Sequence, residues 1–157
     1  MKKTIIGILG LIIGLGISIF CESFFRELIQ NIFRWTTSNR IIFVGKNFYI
    51  FSSYFYYLSF GISIWIFSLT NFKNETDTVL KNGIIMILIF GLLLFGISAI
   101  DANLKVIECT ACIDGIRKLH WNDINYGTIL GISAIISILP SLIKIIMNRK
   151  KPAYNNS

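Results

Sequence analysis

Four long, nearly uninterrupted apolar runs constrain this chain more than any other feature. A helix needs roughly 20 residues to cross about 30 Å of hydrocarbon. Runs of that order occupy about residues 4–20, 48–69, 83–100 and 126–146. None holds Asp, Glu, Arg or His at its middle, and Lys144 stands near the end of the last, where its stem can reach the interface. In lipid only helices and closed barrels satisfy the backbone, and continuous rather than alternating apolar runs belong to helices. The expected fold is an all-α integral membrane protein, with four transmembrane helices in one polytopic domain over residues 1–157. Composition agrees: 54% of the chain is hydrophobic and only 15% is charged, against about 25% charged in an ordinary soluble domain.

The first run follows Lys2 and Lys3 and so also has the basic start of a secretory signal. Its apolar stretch exceeds the roughly 7–15 residues of such a segment. Small residues at a cleavage point occur only around Cys21 and Ser23. A lipid-modified Cys21 would need a small residue before it, where Phe20 stands. A retained helix is expected.

Basic residues orient the spans. With both termini cytoplasmic, the inner segments hold Lys2, Lys3, Lys73, Lys81, Lys144, Arg149, Lys150 and Lys151 against two acids, Glu75 and Asp77. The outer segments hold Arg26, Arg34, Arg40, Lys46, Lys105, Arg117 and Lys118 against Glu22, Glu27, Asp101, Glu108, Asp114 and Asp123. The net charge of +7 then lies almost wholly inside, as an orientation label. Two short extracytoplasmic loops follow, 21–47 and 101–125, with a polar inner turn after residue 70 and a disordered basic cytoplasmic tail within 147–157. The composition, rich in Ile, Lys and Asn, resembles AT-rich bacterial coding, and the expected location is a bacterial cytoplasmic membrane.

The first outer loop opens with an amphipathic pattern. Phe24, Phe25, Leu28, Ile29, Ile32 and Phe33 recur at helical spacing, with Trp35 at the end. This predicts an interfacial helix that either lies on the membrane surface or packs on the protein's own helices. Beyond it, 41–44 and 48–51 flank Gly45, Lys46 and Asn47, which reads as a short hairpin.

Small residues line two spans: Gly10, Gly14 and Ser18 on the first, Gly127 and Gly131 on the fourth, with Ser133, Ser137 and Ser141 on another face. Such stripes let helix backbones approach closely. They predict packing within the bundle or, alternatively, a homo-oligomer or membrane-partner interface. Pro140 predicts a kink or the last turns of the fourth helix.

The most reactive element is Cys109 and Cys112, at C-x-x-C spacing in the second outer loop. Such a pair can close a disulfide or hold half a metal site. A c-type haem would need His after Cys112, where Ile113 stands. Zinc would need His120, the sole histidine, with Asp114, Asp123 or the distant Cys21. In helix count and in a C-x-x-C near the last helix, the layout resembles the vitamin K epoxide reductase family. That resemblance implies Cys109 and Cys112 as a redox pair, with Cys21 after the first span as a resolving thiol. The family relays electrons through a second cysteine pair in its first loop, and this loop has Cys21 alone. A structural disulfide stapling the loop is the favoured expectation.

The stretch from Leu119 to Tyr126 is the most polar. Asp123 or Asn125 is placed to cap the fourth helix, Trp121 and Tyr126 to anchor it, and His120 with Asp123 is the only general-base pair on offer. No nucleotide or metalloprotease motif occurs, no span carries a proton relay, and the basic residues give no nucleic-acid surface. The expectation is a non-catalytic membrane protein without a cofactor, acting through helix packing or partner binding in the lipid bilayer, as an immunity-type or accessory subunit. The alternative is a membrane thiol–disulfide oxidoreductase.

Overall fold

A computed structural model describes residues 2–45, 53–108 and 116–143. The chain is mostly helical: α1 (Lys2–Phe20), α2 (Glu22–Thr36), β1 (Ile41–Val44), α3 (Tyr54–Asn71), α4 (Thr76–Ile107), β2 (Arg117–His120) and α5 (Tyr126–Ser137). A 3-10 turn, Trp121–Asp123, joins β2 to α5.

Among the described residues, three segments are long and apolar enough to cross a membrane: Lys2–Phe20, Thr76–Ile107 and Trp121–Ile143. At 1.5 Å per residue α1 measures about 28 Å and α4 about 48 Å. The predicted 83–100 run is therefore only the middle of α4. Its helical register continues through Asp101, Asn103 and Lys105, residues assigned from their polarity to the second loop.

The predicted 48–69 run corresponds to α3 from residue 54 onward, and residues 48–52 lie outside the described residues. α3 is less apolar than the other three because Tyr54, Tyr56, Tyr57, Ser59, Ser63, Ser68 and Thr70 interrupt it. Most of those polar groups are satisfied within the bundle. The Tyr56 hydroxyl donates to the Ser18 carbonyl at 2.8 Å and Ser63 Oγ to the Ala134 carbonyl at 3.0 Å. Ser59, Ser68 and Thr70 donate back to carbonyls one turn earlier. Ser53 caps the helix start and Asn125 Oδ1 accepts from the Thr128 amide at the start of α5.

α3 is the centre of the arrangement, packed between α1 and α5, while α2 leans on α4. The core runs through Ile29, Phe33, Tyr56, Phe60, Leu94 and Leu130. Phe25, Phe60 and Phe90 form a ring cluster with centroids 5.4–5.7 Å apart, within the range of edge-on aromatic contacts. Outward faces carry Ile5, Ile8, Ile12, Leu88 and Leu92 exposed. Rows of that kind on helices of this length are compatible with a lipid environment.

One end of the bundle is closed by a two-stranded parallel sheet in which Ile41 faces Arg117 and Val44 faces His120. The hairpin expected around Gly45 is not what pairs β1 among the described residues. Its partner is β2, and the crossover between them contains α3 and α4. Parallel pairing requires such a crossover. The second half of the expected hairpin lies outside the described residues.

Candidate functional site

At the sheet-bearing end, α2 turns a polar row toward its neighbours. Glu22, Arg26 and Gln30 stand four residues apart and so share a face. Arg26 is 3% exposed and Gln30 5%. Arg26 Nη1 lies 3.6 Å from Glu22 Oε1, and its guanidinium sits 4.3 Å from the centre of the Tyr126 ring. Tyr57 on α3 donates its hydroxyl to Glu22 Oε2 at 2.5 Å. Gln30 Nε2 donates to the Tyr126 hydroxyl at 2.7 Å, and that hydroxyl donates to the Trp121 carbonyl at 2.9 Å. One chain of contacts thereby joins α2, α3 and α5.

The electrostatics follow from burial. Each charge alone would be expensive away from water, and the pair lowers that cost only when its remaining bonding positions are met. Tyr57 supplies one such partner to the carboxylate, and the Tyr126 ring lies against the guanidinium. The set forms a clasp between helices.

A second cluster lies above it. Phe43 of β1 stacks on Trp121 with centroids 4.6 Å apart. The Arg34 guanidinium stands 5.3 Å and 5.4 Å from the centres of those two rings, a cation–π distance. The His120 and Asp123 side chains each bond to a backbone amide at the 3-10 turn. His120 Nδ1 accepts from the Asn122 amide at 3.2 Å, and Asp123 Oδ2 accepts from the His120 backbone amide at 3.0 Å. Both groups cap the 3-10 turn. Gly45, at φ +85°, lies against the His120 ring with no room for a Cβ.

The small residues singled out in the sequence divide between two contacts. Gly10 and Gly14 face α3, and Ser18 is buried beside Tyr56. Gly127 and Gly131 face Ser53, Phe55 and Ser59 at the other side of α3. Of the aromatic row on α2, Ile29, Ile32 and Phe33 are buried and Phe25 meets Phe60 and Phe90. Leu28 is half-buried, while Phe24 and Trp35 are exposed, Trp35 resting edge-on against Phe95 at 5.6 Å.

Cys109 and Cys112 lie outside the described residues. Cys21, at the junction of α1 and α2, is half-buried and in no disulfide with a described residue. Among the described residues no three His, Cys, Asp or Glu side chains come together as metal ligands. The apolar stripe of α2 predicts one buried face, and the Glu22–Arg26–Gln30 row is a second one beside it. The i, i+4, i+8 spacing of those three residues was the available signal.

Comparison with protein-family models, with curated proteins and with solved structures finds no match.

Proposed function

We propose that this chain is a small multi-pass membrane protein that binds a membrane partner through helix packing and has no catalytic role of its own, in the manner of an accessory or immunity-type subunit. α3 joins the three longer segments as a fourth span: its 18 residues measure about 27 Å. Both termini face the cytoplasm of a bacterial cell, as the basic ends favour.

The exposure of α4 carries this reading. Of its 32 residues only Leu94, Ser98 and Ala102 are buried. Gly91 and Gly96 have open space where a side chain would stand. Gly7, Gly10 and Gly14 of α1 and Gly127 and Gly131 of α5 already meet α3 or its cap, and Gly16 alone on α1 stands open, so the face offered to a partner is that of α4, with its two open glycines and few buried residues. Small residues on a lipid-exposed face let a second helix approach closely.

A photo-crosslinking side chain at Leu92, which is 74% exposed, tests this in intact membranes. A discrete protein adduct is expected there, and only lipid adducts from the same group at Ile12 on α1. An adduct of twice the chain's mass would make the partner a second copy. Lipid adducts alone at Leu92 would end the partner reading.

One observation favours the redox alternative, in which Cys109 and Cys112 exchange a disulfide and Cys21 resolves it. α4 ends beside β2, through the Arg117 side chain bonded to the Lys105 carbonyl. That is the same end at which Cys21 closes α1.

A further inference from the structure

α3 ends at Asn71, and the last span is interrupted at Ile138, after which helix resumes over 139–143; both places border one cavity of about 80 Å³ at the end of the bundle that carries the α3–α4 turn. Its polar wall is Thr70, Asn82, Ser137 and Ser141, and the rest of the lining, Ile85 and Met86 of α4 with Pro140, is apolar. The C-terminus of α3 carries about half a negative elementary charge, and at this cavity it meets the interrupted stretch of the last span.

The hydrogens of the lining groups are largely committed elsewhere. Thr70 Oγ1 donates to the Ile66 carbonyl at 2.6 Å, and Ser137 Oγ to the Ala134 carbonyl at 2.7 Å. Asn82 Nδ2 donates to Asn71 Oδ1 at 2.6 Å. A hydroxyl that has spent its proton presents lone pairs only, and an amide whose nitrogen is engaged leaves its oxygen. Pro140 adds to this. In a continuous helix the Ser141 amide would reach the Ser137 carbonyl, but it bonds to Ile138 at 3.0 Å, which leaves the Ser137 carbonyl outside the ladder. Broken helix ends of this kind coordinate small cations in membrane proteins.

We propose that this cavity binds a monovalent alkali cation of about sodium size. Oxygen ligands select a hard ion over a transition metal. Among the described residues the lining holds no carboxylate, the usual ligand of calcium or magnesium. The volume admits one ion with one or two waters, each taking about 30 Å³. The site is independent of any partner on α4.

The test uses the full chain purified in mild detergent. Sodium chloride titrated against choline chloride at constant ionic strength should raise the unfolding temperature saturably by roughly 2–5 °C, the shift that ligand linkage gives a small protein. Thr70→Val with Ser141→Ala should lose that increment while matching the unaltered protein in choline. An equal rise with choline, or an increment kept by the variant, overturns the site. Should the double variant fail to fold, sodium-nuclear relaxation on the unaltered protein decides without it. Broadening above the detergent blank that potassium competes away supports the site, and none overturns it.

Discussion

A methyl group on Gly14 would stand 2.7 Å from the carbonyl oxygen of Phe60. The obstacle is backbone, which cannot swing aside as a side-chain tip can. Gly14→Ala should cost about 1–3 kcal/mol, the usual penalty of overpacking, and Gly14→Leu should prevent α1 from seating on α3. Gly16, two residues on, meets nothing within 4 Å, so Gly16→Leu should be tolerated. Thermal unfolding of the three variants in one detergent checks the contrast. Equal effects at Gly14 and Gly16 would contradict the α1–α3 contact.

The hydrogen bond from Tyr57 to Glu22 should be energetically coupled to the ion pair with Arg26. Tyr57→Phe removes one partner of a shielded carboxylate, at about 1–3 kcal/mol. Glu22→Gln removes the charge facing buried Arg26 and should cost more, about 3–5 kcal/mol. A double-mutant cycle on unfolding free energies should give a coupling of about 0.5–3 kcal/mol. Strict additivity would mean that the two side chains act separately.

Tyr126 serves three neighbours with one side chain: its hydroxyl takes the Gln30 amide and donates to Trp121, and its ring lies under Arg26. Tyr126→Phe keeps the ring and should cost about 1–3 kcal/mol through the buried amide left behind. Tyr126→Leu should cost about 1 kcal/mol more by losing the cation–π contact. The ordering Leu worse than Phe, read from unfolding midpoints, is the check.

Gly45 combines a left-handed backbone with contact against the His120 ring. Gly45→Ala should displace that ring and loosen the stacked Phe43–Trp121 pair, visible as a shift in tryptophan emission. His120→Ala should rescue part of the loss by removing the steric clash. The remainder, about 1–2 kcal/mol, is the penalty of φ above zero in a residue with a Cβ. Full rescue would mean that the backbone conformation carries no strain.

The redox and binding readings separate at the cysteines. Under the binding reading, Cys109→Ser with Cys112→Ser leaves the crosslink from Leu92 intact. A mixed disulfide trapped by Cys112→Ser alone, in non-reducing electrophoresis, would favour the oxidoreductase instead.

The helices were legible where apolar residues run without interruption, because burial in lipid or in a core sets their period directly. Three features were not. The extension of α4 to Ile107 was hidden because Asp101, Asn103 and Lys105 look like loop residues, although a helix longer than the bilayer is free to carry them in water. The inward row on α2 escaped because a carboxylate and a guanidinium read as exposed until Tyr57 and Tyr126 are brought against them from distant positions. β1 was read with its neighbour in sequence, since nothing local in Ile41–Val44 specifies a partner beyond two intervening helices. In the clasp itself, each residue was visible in the sequence, and its partner was not.

The parallel pairing of Ile41–Val44 with Arg117–His120 also sets an order of events. The first strand leaves the ribosome well before its partner exists, and the two helices between them must take their places before the strands can meet. Contacts so far apart in sequence form late. The closure of the cap can therefore proceed only once α3 and α4 are in position.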